Sequence, residues 1–153
     1  MSNVTVALSQ APDSKIKALG TLTVGGKMDS GTIDSAGSIG TVTVGALLGS
    51  NVEAGDLAGT AQTHAALGSL IVKGVTGVTD TVVASNIWAW NLGTVTLRDV
   101  NMSNGGTAFG VKGRTLASYT RYAGKTVAKK LSNVVGPRAQ PVDGDTDFSV
   151  TLV

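Results

Sequence analysis

The hydrophobic positions of this chain alternate in short runs and do not recur at helical spacing. One phrase appears four times: aliphatic, glycine, hydroxyl, aliphatic, Thr or Ile, aliphatic. The copies are Leu19-Gly20-Thr21-Leu22-Thr23-Val24, Ile39-Gly40-Thr41-Val42-Thr43-Val44, Leu67-Gly68-Ser69-Leu70-Ile71-Val72 and Leu92-Gly93-Thr94-Val95-Thr96-Leu97. A period of two puts successive side chains on opposite faces, so each copy predicts a strand with one buried face. A second short alternating run follows each copy, at residues 31–35, 50–54, 81–85 and 107–111. Glycines between the runs, at Gly25-Gly26, Gly45, Gly74 and Gly105-Gly106, predict corners.

The steps from Leu19 to Ile39, Leu67 and Leu92 are 20, 28 and 25 residues. Two short strands per step of this length match one turn of a parallel β-helix. The fold expected is therefore all-β: a right-handed parallel β-helix of about five to six coils with an atypical C-terminal cap. Equivalent strands would stack about 4.8 Å apart. Val24, Val44, Val72 and Leu97 would form one inward ladder, and Leu22, Val42, Leu70 and Val95 another. A leucine-rich repeat has a similar period, but its Leu-x-x-Leu-x-Leu-x-x-Asn frame is absent. The longer steps place an inserted loop at 58–66 and extra length near 86–91.

The repeat covers residues 1–113, and residues 114–153 depart from it. There, Tyr119, Arg121 and Tyr122, then Gly124-Lys125, then residues 126–131 predict a hairpin or a strand with a short helix. DFSVTLV, from Asp147 to Val153, predicts a final strand. Because a stack of strands has unpaired edges at its ends, this tail reads as a cap.

Composition narrows the class. The chain has 153 residues, with 42% hydrophobic but only 4% aromatic, so Val, Leu, Ile and Ala must build the core. There are 21 glycines and 3 prolines without a Gly-x-y period, which argues against collagen and Pro-rich disorder. A net charge of +2, with Lys129-Lys130 the one basic pair of the tail, points to no nucleic-acid partner. The absence of cysteine excludes disulfides, a thiol nucleophile and a Cys-bound metal. No leader peptide or run of about 20 apolar residues is expected, and hence no membrane insertion.

The phrases IGTVTVGALLGSNVEAGDL (39–57) and SNIWAWNLGTVTLRDVNMSNGGTAFGVKG (85–113) resemble the repeats and last coils of large Gly-rich surface proteins of planctomycete-type bacteria. The closing DFSVTLV resembles their C-terminal strand. The resemblance covers about residues 16–153. It implies an exported, surface-attached module at the C-terminal end of a longer chain, and it brings no catalytic residues with it.

Few residues offer chemistry. Asp34 and Glu53 occupy equivalent places, with Ala84 next in the column, so they would stack as a carboxylate pair able to hold Ca²⁺ or to act as acid and base. Two solvated surface carboxylates is the plainer reading, and no cofactor is expected beyond that candidate Ca²⁺. Trp88 and Trp90 alternate in Ile87-Trp88-Ala89-Trp90, which predicts one shared face. Turned outward they would make a platform for sugar rings, and turned inward they would fill a coil. Thr21, Thr23, Thr41, Thr43, Thr94 and Thr96 would present a flat hydroxyl face of the kind that binds ice, although Thr is also an ordinary outward strand residue. His64, the single histidine, falls in the inserted loop, so no triad or zinc site can be assembled around it.

The function expected is a non-catalytic extracellular scaffold or self-association unit. Its partners would be further copies of itself, other surface proteins or polysaccharide. The alternatives are carbohydrate binding, a polysaccharide lyase using Asp34 and Glu53, ice binding, and a bactofilin-like filament.

Overall fold

The computed structural model describes residues 2–9, 17–55, 65–144 and 146–153. Among these residues the fold is all-β, without helices, and holds two seven-stranded sheets. In sheet A, β2 (Lys17–Asp29), β4 (Ser38–Leu48), β6 (Ala66–Val72), β9 (Asn91–Arg98), β11 (Thr115–Ala123) and β12 (Thr126–Val135) lie side by side in that order. The short β7 (Val82–Val83) pairs with β4 beyond β6. In sheet B the order is β1 (Thr5–Leu8), β3 (Thr32–Ser35), β5 (Asn51–Ala54), β8 (Asn86–Ala89), β10 (Phe109–Gly113), β14 (Phe148–Leu152) and β13 (Asp143–Gly144). Up to β11 the chain visits the two sheets in turn, with β7 the one added strand. All pairings are parallel except β11–β12 and β13–β14.

The recurring phrase forms β2, β4, β6 and β9, and it stacks in register. Leu22 lies beside Val42, Val42 beside Leu70, Leu70 beside Val95, and Val95 beside Tyr119. Val24, Val44 and Val72 form the neighbouring ladder. In sheet B, Val6, Ile33, Val52, Ile87, Val111 and Val150 do the same. Side chains from both sheets join one buried cluster. Burying each aliphatic side chain contributes roughly 1.5–3 kcal/mol before the cost of ordering it.

The glycine of the last three phrases has a steric cause, whereas a Cβ on Gly20 would meet nothing within 4 Å. A Cβ on Gly40 would lie 2.2 Å from the carbonyl oxygen of Gly20, one on Gly68 2.6 Å from that of Gly40, and one on Gly93 2.1 Å from that of Gly68. Neighbouring backbones approach so closely along this column that only hydrogen fits.

The turns into sheet B repeat a backbone conformation rather than a residue. Ser30, Gly49 and Ala84 adopt left-handed φ values of 51°, 56° and 46°. The Ser30 amide donates to the Leu48 carbonyl (2.8 Å) and the Gly49 amide to the Val83 carbonyl (2.9 Å). The next residue is a buried serine at two of these turns. The Ser50 hydroxyl accepts the Gly31 amide (3.1 Å), and the Ser85 hydroxyl accepts the Ser50 amide (3.0 Å).

Three sequence expectations shift. Gly25 and Gly26 lie inside β2, not at a corner: Val24 pairs with Val44 but Lys27 with Ala46, so the pair supplies the extra residue of a bulge. The run 81–85 is not the partner of β5. Its Val82 and Val83 join β4 in sheet A, Ala84 makes the turn, and β8 takes the place beside β5. Residues 86–91 therefore contribute ordinary strand, and the extra length of that step lies in 73–81. The proposed inserted loop falls largely at 56–64, outside the described residues, as does His64.

The tail forms a hairpin of β11 and β12 across Gly124-Lys125, not a helix, and β14 extends sheet B in parallel with β10. Here two apolar ladders meet charged residues, while Tyr119 and Leu116 still pair with Leu131 and Val134 of β12. Leu97 of β9 faces Arg121 of β11, and Val150 of β14 faces Asp143 of β13. The Arg121 guanidinium donates to both Asp143 carboxylate oxygens (2.8 and 3.1 Å), and the Tyr119 hydroxyl donates to the same carboxylate (2.8 Å). The side chains of Arg121 and Asp143 are 17% and 6% exposed. Burial alone would raise the Asp143 pKa. The Arg121 and Tyr119 hydrogen bonds and the Arg121 charge outweigh it and hold the carboxyl below its usual range. Burial first, then the Asp143 charge, pushes the Tyr119 phenol up.

Candidate functional site

Alternation fixes the outer face of sheet B. With Ile33, Val52, Ile87, Val111 and Val150 inward, the intervening residues form two outward columns. One runs Thr32, Asn51, Asn86, Gly110, Ser149. The other runs Asp34, Glu53, Trp88, Lys112, Thr151. Neutral hydrogen-bonding groups thus stand beside a charged and aromatic column.

A cleft of about 310 Å³ lies across β5, β8, β10 and β14 on this face. Its origin is Gly110, which leaves the first column without a side chain between Asn86 and Ser149. The gap is enforced, because a Cβ at Gly110 would lie 2.0 Å from the Ser149 carbonyl oxygen and the residue has φ +144°. Ala108 and Phe109 form part of the rim. The loop before them is held from below: the Asp147 carboxylate accepts the amides of Asn104 and Gly106, the latter at 2.9 Å. Phe109 packs on Phe148 with ring centroids 5.5 Å apart.

Asp34 and Glu53 are paired in register on β3 and β5. Burial, and secondarily the Asp34 charge, raises the Glu53 pKa. The residue following Glu53 in the column is Trp88, not Ala84. No group of three or more metal-ligating side chains occurs among the described residues.

The two tryptophans do not share a strand face. Trp88 stands in β8, whereas Trp90 follows the end of that strand, and its carbonyl accepts the amides of Arg114 (2.9 Å) and Thr115 (3.2 Å). Trp88 is only 6% exposed, so it floors the cleft instead of offering an open ring face. Trp90 is half-buried. A two-ring sugar platform is therefore not formed.

The six threonines do line up on the outer face of sheet A. Thr21, Thr41, Ser69, Thr94, Ser118 and Ser132 form one column, and Thr23, Thr43, Ile71, Thr96, Thr120 and Lys130 the next. The first column carries a hydroxyl on every strand, and the second carries one on four of its six.

Three residues of the cleft escaped the sequence reading. Lys112 is exposed, and the two ion pairs among the described residues, Lys27–Asp29 and Arg121–Asp143, leave its ammonium unpaired. Gly110 and Asn86 complete the cleft. Alternation through Phe109-Gly110-Val111-Lys112 was the signal, but it needed the correct partner strand, β8, to show its meaning. Compared with known proteins, the chain matches no family model, no curated sequence and no solved structure.

Proposed function

We propose that this chain is a right-handed parallel β-helix serving as a non-catalytic structural module of an exported surface protein. One observation carries the reading: the chain visits two sheets in turn while each strand lies parallel to the equivalent strand of the previous visit. Parallel strands joined by crossovers are right-handed in about 98% of cases, which supports the hand. Register-matched ladders give each pass the same neighbours, so stiffness arises from repetition. The surface setting rests on the resemblance of the repeat phrases. The Arg121–Asp143 pair and the lysines of β12 support a closed C-terminal end, because a further stacked strand would have to desolvate both.

Single-molecule pulling between the termini tests the mechanical reading. The expected trace loses 20 to 28 residues at a time, the spacing of the repeat phrases. Collapse in one step at low force would overturn it, as would turnover of any polysaccharide by the isolated chain. A crystal structure with left-handed crossovers would overturn the hand.

A further inference from the structure

We propose that the cleft over Gly110 binds an oligosaccharide in which a single carboxylate-bearing sugar ends a run of neutral ones. This reading is independent of the scaffold role, and it differs from a platform of paired tryptophans, which the structure does not form.

The polar groups set the ligand class. Asn86 and Ser149 carry amide and hydroxyl groups along one column and Thr151 a hydroxyl in the next, while Trp88 supplies an apolar floor. A pyranose presents the same mixture, with hydroxyls around its edge and C–H groups on its faces. The gap at Gly110 lets a ring approach the backbone without meeting a side chain.

The charges set the order of the sugars. Lys112 stands one strand beyond Trp88 and Glu53 one strand before it, so the two lie about 10 Å apart across the indole. A sugar unit spans roughly one strand step, about 5 Å. A ligand crossing the strands therefore places one ring near Lys112 and, with an intervening ring over Trp88, another near Glu53. The unpaired ammonium favours a carboxylate on the first ring. Glu53, backed by Asp34, repels a carboxylate on the ring beside it and accepts that ring's hydroxyls instead. An uninterrupted run of acidic sugars is disfavoured, and so is a wholly neutral chain.

Calorimetric titration with three hexasaccharides tests this: a cello-oligosaccharide whose non-reducing terminal ring alone is a glucuronate, hexagalacturonate and cellohexaose. The singly acidic fragment should bind most tightly. Lys112→Ala should weaken it about ten-fold, the loss of one charged hydrogen bond. Lys112→Arg should retain binding, and Lys130→Ala, on β12, should leave it unchanged. Glu53→Gln should strengthen hexagalacturonate at least about three-fold by removing the repelling charge. Thermal melts of the variants should match the parent, since Lys112 is exposed. Binding of none of the three oligosaccharides, equal binding of cellohexaose, or indifference to Lys112→Ala would each overturn the proposal. If hexagalacturonate equals the singly acidic fragment, the role of Glu53 falls.

Discussion

At the scale of single residues, the repeated glycines show how a backbone contact is written into a sequence. Gly40, Gly68 and Gly93 were legible as a repeat but not as a cause. Turns are the common use of glycine, whereas these three sit in strands and are needed because the neighbouring carbonyl leaves no room for a Cβ. Gly93→Ala would put a methyl 2.1 Å from the Gly68 oxygen, so the strands must part. We expect a loss of at least about 3 kcal/mol, the upper end of overpacking costs. Gly26→Ala, in the β2 bulge where nothing lies within 4 Å, should change stability by less than about 0.5 kcal/mol. Urea unfolding of both variants distinguishes a steric column from a general need for glycine.

At the scale of elements, the sequence reading found β2, β4, β6 and β9 because their alternation and their phrase coincide. It misplaced the strand that follows β6. Val82 and Val83 look like a sheet B strand, but the turn before sheet B is marked by conformation, and Ser, Gly or Ala can occupy it. Composition alone could not reveal that Ala84 has the φ of Gly49. The carboxylate column was consequently continued into Ala84 instead of Trp88, and the cleft stayed hidden. The buried serines beside these turns join one pass to the next. Ser50→Ala strips the Gly31 amide of its acceptor and should cost about 1–3 kcal/mol. Hydrogen exchange should accelerate at Gly31 more than at amides within β4; a uniform change would show that Ser50 has no local role.

At the scale of the whole molecule, the two apolar ladders end in charges of opposite sign, and the core closes where Arg121 meets Asp143. Since the native Asp143 carboxyl titrates below its usual range, its contribution is complete above about pH 4 and fades as pH falls through its depressed native value. Asp143→Asn should lower stability at pH 7 by about 3 kcal/mol, since a buried guanidinium loses its charge partner. It should also flatten the acid limb of the stability profile, measured as the urea midpoint between pH 7 and pH 2. A parallel offset at every pH would exclude the linkage. Replacing the lock with apolar groups (Arg121→Leu, Asp143→Leu and Tyr119→Phe together) continues both ladders to an open face. That variant should remain folded and associate end to end, raising its sedimentation coefficient with concentration, while the parent stays constant.

On the proposed reading of the tail as a cap, the polar lock would also give the stack an inherent direction. Growth by adding passes is chemically permitted wherever the last interior side chain is aliphatic, and it halts where that side chain must keep a counter-ion. Residues 114–153 thus behave as punctuation: grafted behind an unrelated array of similar width, they should determine where it finishes, whatever letters precede them.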